Sequence, residues 1–334
     1  MKQIIKAHGS GGKHTKDLIE QIFLKHFNNA PLTELSDAAL LPIGTGRIAF
    51  TTDSHVVQPI FFPGGDIGKL AVSGTVNDLA VSGAVPKYLS CGLILEEGFA
   101  LEKLEKIIAS MAQTAKVAGV TIVTGDTKVV AKGEADQIYI NTSGVGLLPE
   151  DVNLSTGNII PGDKIIISGN IGEHATAILL AREKFTVKST LVSDCNPVNK
   201  MTEKLIAEVS GIRVMRDPTR GGVAGVLNEF VDNREFGIRI HEQELPVNRE
   251  VSGICEPFGF DPLYLANEGK FITIVSPEEA EKSLEIIKEF ELGKNARIIG
   301  EVIQKPAGKV LLQTQLGTDR ILNLLSDEIL PRIC

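Results

Sequence analysis

The sequence predicts a mixed α/β protein of two domains. Three observations carry that expectation. The chain has 334 residues, the length of two domains of about 150 residues each. Apolar strand-like runs alternate with amphipathic helical runs through both halves. Between the halves, PEDVNLSTGNIIPGD (149–163) is polar and rich in turn formers, as linkers are.

The elements follow in order. HGSGGK (8–13) is a glycine-rich loop, and Leu18, Ile19, Ile22, Phe23 and Phe27 then share a helical face. Residues 47–57 read as a strand with Asp53 near its end, and 66–84 as a helix in spite of its glycines. A strand over 86–95, an amphipathic helix over 101–118, a buried strand over 120–127 ending at Gly125-Asp126 and a strand over 137–148 complete the first half. In the second half, KIIISGNIGEHATAILLARE reads strand, glycine loop, helix. A helix at 198–210, a strand at 211–216, a loop and helix at 217–230, a strand at 236–241, a helix at 277–290 and strands near 296–303 and 308–314 follow. TDRILNLLSDEIL is helix-like. Pro331 ends it and leaves Arg332-Ile333-Cys334 as an expected mobile tail. The expected domains are 1–155, 156–316 and a C-terminal helix and tail over 317–334.

Composition narrows the function. Net charge is -8 with no basic run, which argues against a nucleic-acid or anionic-membrane partner. No apolar run reaches about 18 residues, so no transmembrane helix is expected, and the N-terminus lacks a signal-peptide core. Cys91, Cys195, Cys255 and Cys334 are far apart and form no CxxC pair. That fits a reducing cytoplasm better than disulfides or zinc. Cys91, Cys195 and Cys255 lie near apolar segments and are expected to pack in the core.

Several residues have the types and settings that chemistry needs. Asp53, Asp78, Asp126 and Asp217 stand at strand ends or beside glycine. Carboxylates so placed could hold Mg²⁺ together with nucleotide phosphates; each could also simply cap a turn. HGSGGK lacks the Walker A residues at Ala7 and His14. GNIGEH (169–174) and TRGG (219–222, with Gly221 and Gly222) precede helices, where N–H groups favour phosphate. Lys128, after Asp126, could neutralise a transferring phosphoryl, and Glu268 in NEG could act as a base. The alternatives are a solvated lysine and a turn residue. His8, His14 and His174 flank the glycine loops and could touch phosphate, or serve as caps or surface residues. Cys334 ends the chain after proline, where burial is not expected, and its thiolate is a good nucleophile and group carrier.

These segments together resemble the HypE carbamoyl dehydratase family of [NiFe] hydrogenase maturation, within the aminoimidazole ribonucleotide synthetase-like ATP-binding superfamily. The resemblance runs through HGSGG, TTDS, DIGKLAVSGTVNDLAVSGA, TGDTKVV, PGDKIIISG, DPTRGG and LYLANEGK to the terminal PRIC. The sequence departs at GEHAT (172–176), where the family has Gly-Asp-His-Gly, and at Lys13. The resemblance implies a two-domain α/β fold of mixed sheets, a homodimer paired through its N-terminal sheets, and ATP at the domain junction. It implies that a carbamoyltransferase, HypF, loads Cys334. ATP then drives dehydration to a thiocyanate, and cyanide passes to the HypC–HypD iron scaffold. On this reading Asp53, Asp78, Asp126 and Asp217 hold Mg²⁺. His8, Gly9, Gly11, Gly12, Asn77, Thr127, Gly221 and Gly222 join Asp53, Asp78 and Asp126 around ATP. Lys128 stabilises the phosphoryl, Glu268 is the base and Cys334 carries the substrate. Gly317 and the segment after Leu330 are the expected hinges for the tail. Two alternatives are another synthetase or kinase of the superfamily acting on a free small molecule, and a non-enzymatic docking protein that only carries a group.

Overall fold

Alternation of period two shapes the first half. Residues 46–55 bury Ala49, Thr51 and His55 while Phe50, Thr52 and Ser54 stay exposed, so the sheet they join has one covered face. The computed structural model describes residues 13–23, 33, 37–44, 46–182, 189–325, 330 and 332–334. His8, Gly9, Gly11 and Gly12, expected around ATP, lie outside these residues. Strands β1 (Ala39–Ile43), β2 (Gly46–His55), β5 (Val85–Glu96), β6 (Thr121–Val130) and β7 (Ile138–Leu148) form a five-stranded sheet in the order β1-β2-β7-β5-β6. The strands pair antiparallel apart from the parallel pair β5–β6. A two-stranded ribbon of β3 (Phe61–Phe62) and β4 (Gly65–Asp66) leads into the first long helix.

That helix, α2 (Ile67–Val81), follows a short α1 (Lys13–Leu18) and covers the inner sheet face. Asp66 starts it: one carboxylate oxygen accepts from the N–H of Gly68 at 2.7 Å and of Lys69 at 3.1 Å. The helix is buried almost all round because α3 (Leu101–Ala118) and the second half of the chain cover its other sides. Gly68 permits the close approach of α3, since a Cβ there would lie 2.5 Å from the Ile107 carbonyl.

The second half is a seven-stranded sheet in the order β14-β13-β10-β12-β8-β11-β9. Its strands are β8 (Lys164–Ile167), β9 (Ile212–Arg216), β10 (Gly237–His241), β11 (Ile272–Val275), β12 (Arg297–Ile303), β13 (Val310–Gln313) and β14 (Asp319–Leu322). β11 is buried on both faces. Ile272 and Ile274 point to a core with Phe230, and Phe271 and Val275 to a second core with Met201 and Leu205. Helices α4 (Glu173–Arg182), α5 (Asn199–Glu208), α6 (Gly222–Val231), α7 (Arg249–Phe258) and α8 (Ala280–Lys288) accompany this sheet.

Three expectations change. Residues 319–322 are β14 and not helix: Thr314–Thr318 turns the chain with Gly317 at φ 78°, and β14 returns along β13 with Leu322 inward and Ile321 outward. Gly317, expected as a hinge, is the turn of this hairpin. β6 is an exposed edge strand rather than a buried one, and Gly125-Asp126 lie in its middle. The sequence pattern predicts neither helix α7 nor strand β11. α7 carries Pro257 in its last turn, and β11 is too short to show a period. Cys195 and Cys255 pack in the core as expected, and the half-buried Cys91 packs against it.

Candidate active site

Both halves contribute to one anionic cleft of about 190 Å³. Asp37, Asp53, Asp78, Asp217 and Glu268 bring carboxylates to it. Thr51 and Thr219 bring hydroxyls, Arg220 a cation and Cys334 a thiol. Asp53 projects from the covered face of β2, opposite Gly74 of α2, where a Cβ would come 3.2 Å from Asp53 Oδ2. Asp78 sits on α2 one turn further on, 2.9 Å from the Thr51 hydroxyl. Asp217 follows β9, and Pro218 stops the strand there. The next turn needs glycine. Gly221 and Gly222 take φ of 79° and 61°, and a Cβ on Gly222 would meet the Leu263 carbonyl at 2.6 Å. Tight packing thus accounts for Gly222, and neither glycine lines the cleft.

Charge is crowded here. Burial pushes the carboxyls of Asp78, Asp217 and Glu268 well above the ordinary carboxylate range, and neighbouring carboxylates push further: Asp217 and Asp53 on Asp78, Asp37 on Asp217, Asp217 and Asp53 on Glu268. Arg216 pairs with Asp37 at 2.9 Å and with Glu229 at 3.0 Å. Arg220 stays at the cleft rim, 45 % exposed and 3.9 Å from Asp53, held protonated chiefly by the negative charge at Cys334. Glu268 is 3 % exposed, and its Oε1 has no hydrogen-bond partner. Among the described residues no three His, Cys, Asp or Glu side chains already converge on a metal-sized point. Mg²⁺ usually takes one or two carboxylates and completes its shell with water and phosphate, so Asp53, Asp78 and Asp217 suit it without a preformed cage.

The C-terminus is docked in this cleft. The Val56 N–H donates to the Cys334 carbonyl and the Gln58 N–H to the Arg332 carbonyl, both at 3.1 Å. The last residues are thereby added to the chain beyond β2 like a short strand. Arg332 donates to the Val56 carbonyl at 2.9 Å and pairs with Asp136. Ile333 is 6 % exposed, which corrects the expectation that a free end after proline stays out of the core. His174 Nε2 lies 2.7 Å from the Ile333 carbonyl, and its Nδ1 lies 2.7 Å from Ser193 Oγ. Burial holds this imidazole neutral. A carbonyl only accepts, so the proton belongs on Nε2 and the Ser193 hydroxyl donates to Nδ1. Arg182 completes the clamp by donating to the carbonyls of Arg332 and Gln58. His174 therefore holds the tail rather than phosphate.

Other expected site residues lie elsewhere. Asn77 is buried and its amide is fully used: Nδ2 donates to the carbonyls of Asn196 (3.1 Å) and Glu268 (3.2 Å), and Oδ1 accepts from the Val198 N–H at 2.8 Å. It braces the Glu268 turn and is not free for phosphate. Asp126, Thr127 and Lys128 do not line the cleft. Asp126 pairs in register with Gly92, Gly92 with Asn141 and Asn141 with Ser54. Paired residues share a face, so Asp126 and Lys128 lie on the face opposite Asp53. There they pair with each other at 3.0 Å, about 70 % exposed (71 % for Lys128, 69 % for Asp126). Asp37, Thr51, Thr219 and Arg220 were missed. Arg220, inside the DPTRGG motif, was the one within reach of sequence reasoning.

Comparison with known proteins fits this geometry. Residues 35–148 match the N-terminal domain of AIR synthase related proteins, and residues 161–313 match the C-terminal domain. The chain is 45% identical to the carbamoyl dehydratase HypE of Azotobacter vinelandii, across 98% of this chain and 96% of that one. A crystal structure of the hydrogenase maturation protein HypE in complex with ATP superposes with a TM-score of 0.83 at 47% identity, covering 99% of this chain and all 100% of the other. A HypE–HypF complex structure gives a TM-score of 0.87 at 50% identity over 92% of this chain and 99% of that one. This chain belongs to the HypE carbamoyl dehydratase family of AIR synthase related proteins.

Proposed function

We propose that this chain dehydrates an S-carbamoyl group on its own Cys334 to a thiocyanate at the expense of ATP, supplying cyanide for [NiFe] hydrogenase iron-centre assembly. The observation that carries it is the seat of Cys334, which lines the same cleft as Glu268 and the Asp53, Asp78 and Asp217 carboxylates. Carbamoyl dehydratase is the name of a relative 45% identical over nearly the whole chain, and a HypE at 47% identity has been solved with ATP.

Loss of water from S–C(=O)–NH₂ requires the carbamoyl oxygen to leave and the nitrogen to give up both protons. ATP supplies the phosphoryl group that lets this oxygen leave as phosphate. The residues of the chain do the rest. Glu268 accepts one nitrogen proton at Oε1, the atom without a partner in the fold, its raised proton affinity making it a stronger base once ionised, and the second proton leaves with the departing phosphate. Arg220 balances charge beside Cys334. Asp53, Asp78 and Asp217 would hold Mg²⁺, which neutralises phosphate charge. The decisive experiment is intact mass: carbamoylated protein given Mg-ATP should lose one water, localised to the last peptide. A mass that stays unchanged while ATP is present refutes the reading.

HypF loads Cys334 and HypC–HypD receives the cyanide, in the cytoplasm; among the described residues no helix is long and apolar enough to cross a membrane. A second copy covers the outer face of the five-stranded sheet, where Phe50, Tyr88, Ile94, Val123 and Leu147 expose apolar surface. That face carries Asp126 and Lys128, and the partner copy would bring them to the cleft. Mixing Lys128→Ala and Glu268→Gln subunits should then restore roughly a quarter of wild-type activity, the share expected for one intact site in half of the dimers. No recovery on mixing means that Lys128 does not act across the dimer.

Loading requires the tail to leave the cleft. The His174 hydrogen bond contributes about 1 kcal/mol to the docked state. His174→Ala should therefore speed alkylation of Cys334 by about 5-fold, read on the C-terminal peptide. An unchanged alkylation rate would show that His174 does not hold the tail.

A further inference from the structure

Behind the Glu268 turn lies a second ionic cluster, whose side chains do not line the cleft. The Asp194 side chain is 0 % exposed and Lys270 4 %, with Glu173 at 18 %. Lys270 Nζ is 3.3 Å from Asp194 Oδ2 and 3.6 Å from Glu173 Oε2. Asp194 accepts from the Glu268 N–H at 3.1 Å and from the Gly269 N–H at 3.2 Å. Two successive N–H groups on one carboxylate fix the turn between them. From its other side the Glu268 carbonyl is held by Asn77 Nδ2 at 3.2 Å and by the Asn196 N–H at 3.3 Å.

The packing around the cluster is close. A Cβ on Gly269 would fall 1.9 Å from the Asp194 carbonyl, and one on Gly169 would lie 2.8 Å from Lys270 Cε. Glu173 is itself fixed, accepting from Asn170 at 3.0 Å and Asn248 at 2.9 Å. Stability alone is a poor reason for such a cluster, because desolvation offsets the attraction in a buried ion pair. Its location suggests another. No hydrogen bond within the protein orients Glu268 Oε1, whereas the backbone of the turn that carries it is held from both sides. The groups acting on it from elsewhere, Asp217, Asp53 and Arg220, belong to the cleft wall.

We infer that Asp194 is a positioning residue for the dehydration: anchored by Lys270 and Glu173, it aims the Glu268 carboxylate at the group on Cys334 by holding the 268–269 backbone. The inference rests on the proposed dehydratase function.

A double-mutant cycle with Asp194→Asn and Glu268→Gln tests it, reading single-turnover conversion of carbamoylated protein to thiocyanate alongside ATP affinity. Asp194→Asn should slow conversion by about 10- to 100-fold, the cost of a misplaced catalytic group, while ATP affinity stays within about 2-fold. In the Glu268→Gln background the same substitution should cost under about 2-fold more, because both act through one group. A wild-type rate in Asp194→Asn, a loss of ATP affinity as large as the loss of rate, or an undiminished loss in the Glu268→Gln background overturns the inference. Should Asp194→Asn not fold, Asp194→Ser keeps an acceptor in less volume and enters the same cycle. Wild-type protein that forms no thiocyanate sinks the dehydratase reading instead, so the two failures are distinct.

Discussion

Cys334→Ala is expected to abolish thiocyanate formation altogether while leaving the fold and ATP binding in place. The sulfur is the atom that carries the carbamoyl group, so nothing remains to be dehydrated, and no neighbouring residue replaces it. Among the described cysteines, Cys195 is fully buried and burial pushes its thiol up; Cys255 is pushed up to about 11. Both are poor nucleophiles at neutral pH. Cys91 is half-buried and raised in the same direction. Removing a half-buried terminal thiol costs under about 1 kcal/mol, so the melting temperature should move by only a few degrees, about 2–4 °C at most for a chain of this size. Thiocyanate detected on another residue of this variant would defeat the assignment of Cys334 as carrier.

Glu268→Gln should lower the dehydration rate by about 10²- to 10⁴-fold, the usual contribution of a general base, with ATP binding retained. Its pH behaviour follows from its surroundings. Burial first, then Asp217, Asp53 and Asp194, raises the proton affinity of Glu268, against a smaller opposing effect of Arg220. Wild-type activity should therefore fall with decreasing pH through this raised value, well above the usual carboxylate midpoint of about 4.3. The stability sign is opposite to that of a salt-bridged carboxylate. In the window between the unfolded and the folded proton affinities the folded state binds more protons, so stability is full below the window and lost as pH rises through it. Gln cannot ionise. Above the window Glu268→Gln should melt higher than wild type, while below it the two should converge. A variant that is inactive yet no more stable at pH 8 than at pH 4, relative to wild type, would mean that the fold does not raise the proton affinity of Glu268. Asp78 and Asp217 shift in the same direction, so the variant should keep part of the wild-type pH slope.

The same cleft shows how far local sequence signals reach. Asp53, Asp78, Asp217 and Glu268 were identifiable because each stands in a short motif at the end of an apolar run, and the tertiary structure brings all four together. Asp126 and Lys128 have the same kind of motif, TGDTK, yet the register of β6 on β5 sends them to the opposite face of the sheet. Nothing in a linear reading distinguishes the two cases. Asn77 looked like a phosphate ligand by type and is consumed instead as a brace, because its three hydrogen bonds close on segments more than 100 residues away. His174, read beside a glycine loop, found the carbonyl of Ile333, 159 positions distant.

By itself the sequence determined the mixed α/β composition, the placement of most helices and strands, the family, and four of the acidic residues that meet in the cleft. Periodicity, glycine turns and short motifs are local properties, written within a dozen residues of one another. Only the tertiary structure decided which face each strand presents, which amides and imidazoles are already spoken for, and that the last residues add to the chain after β2 with Ile333 buried. Those outcomes depend on strand register and on contacts between distant segments, where the burial of apolar surface chooses among arrangements that the local pattern leaves equivalent.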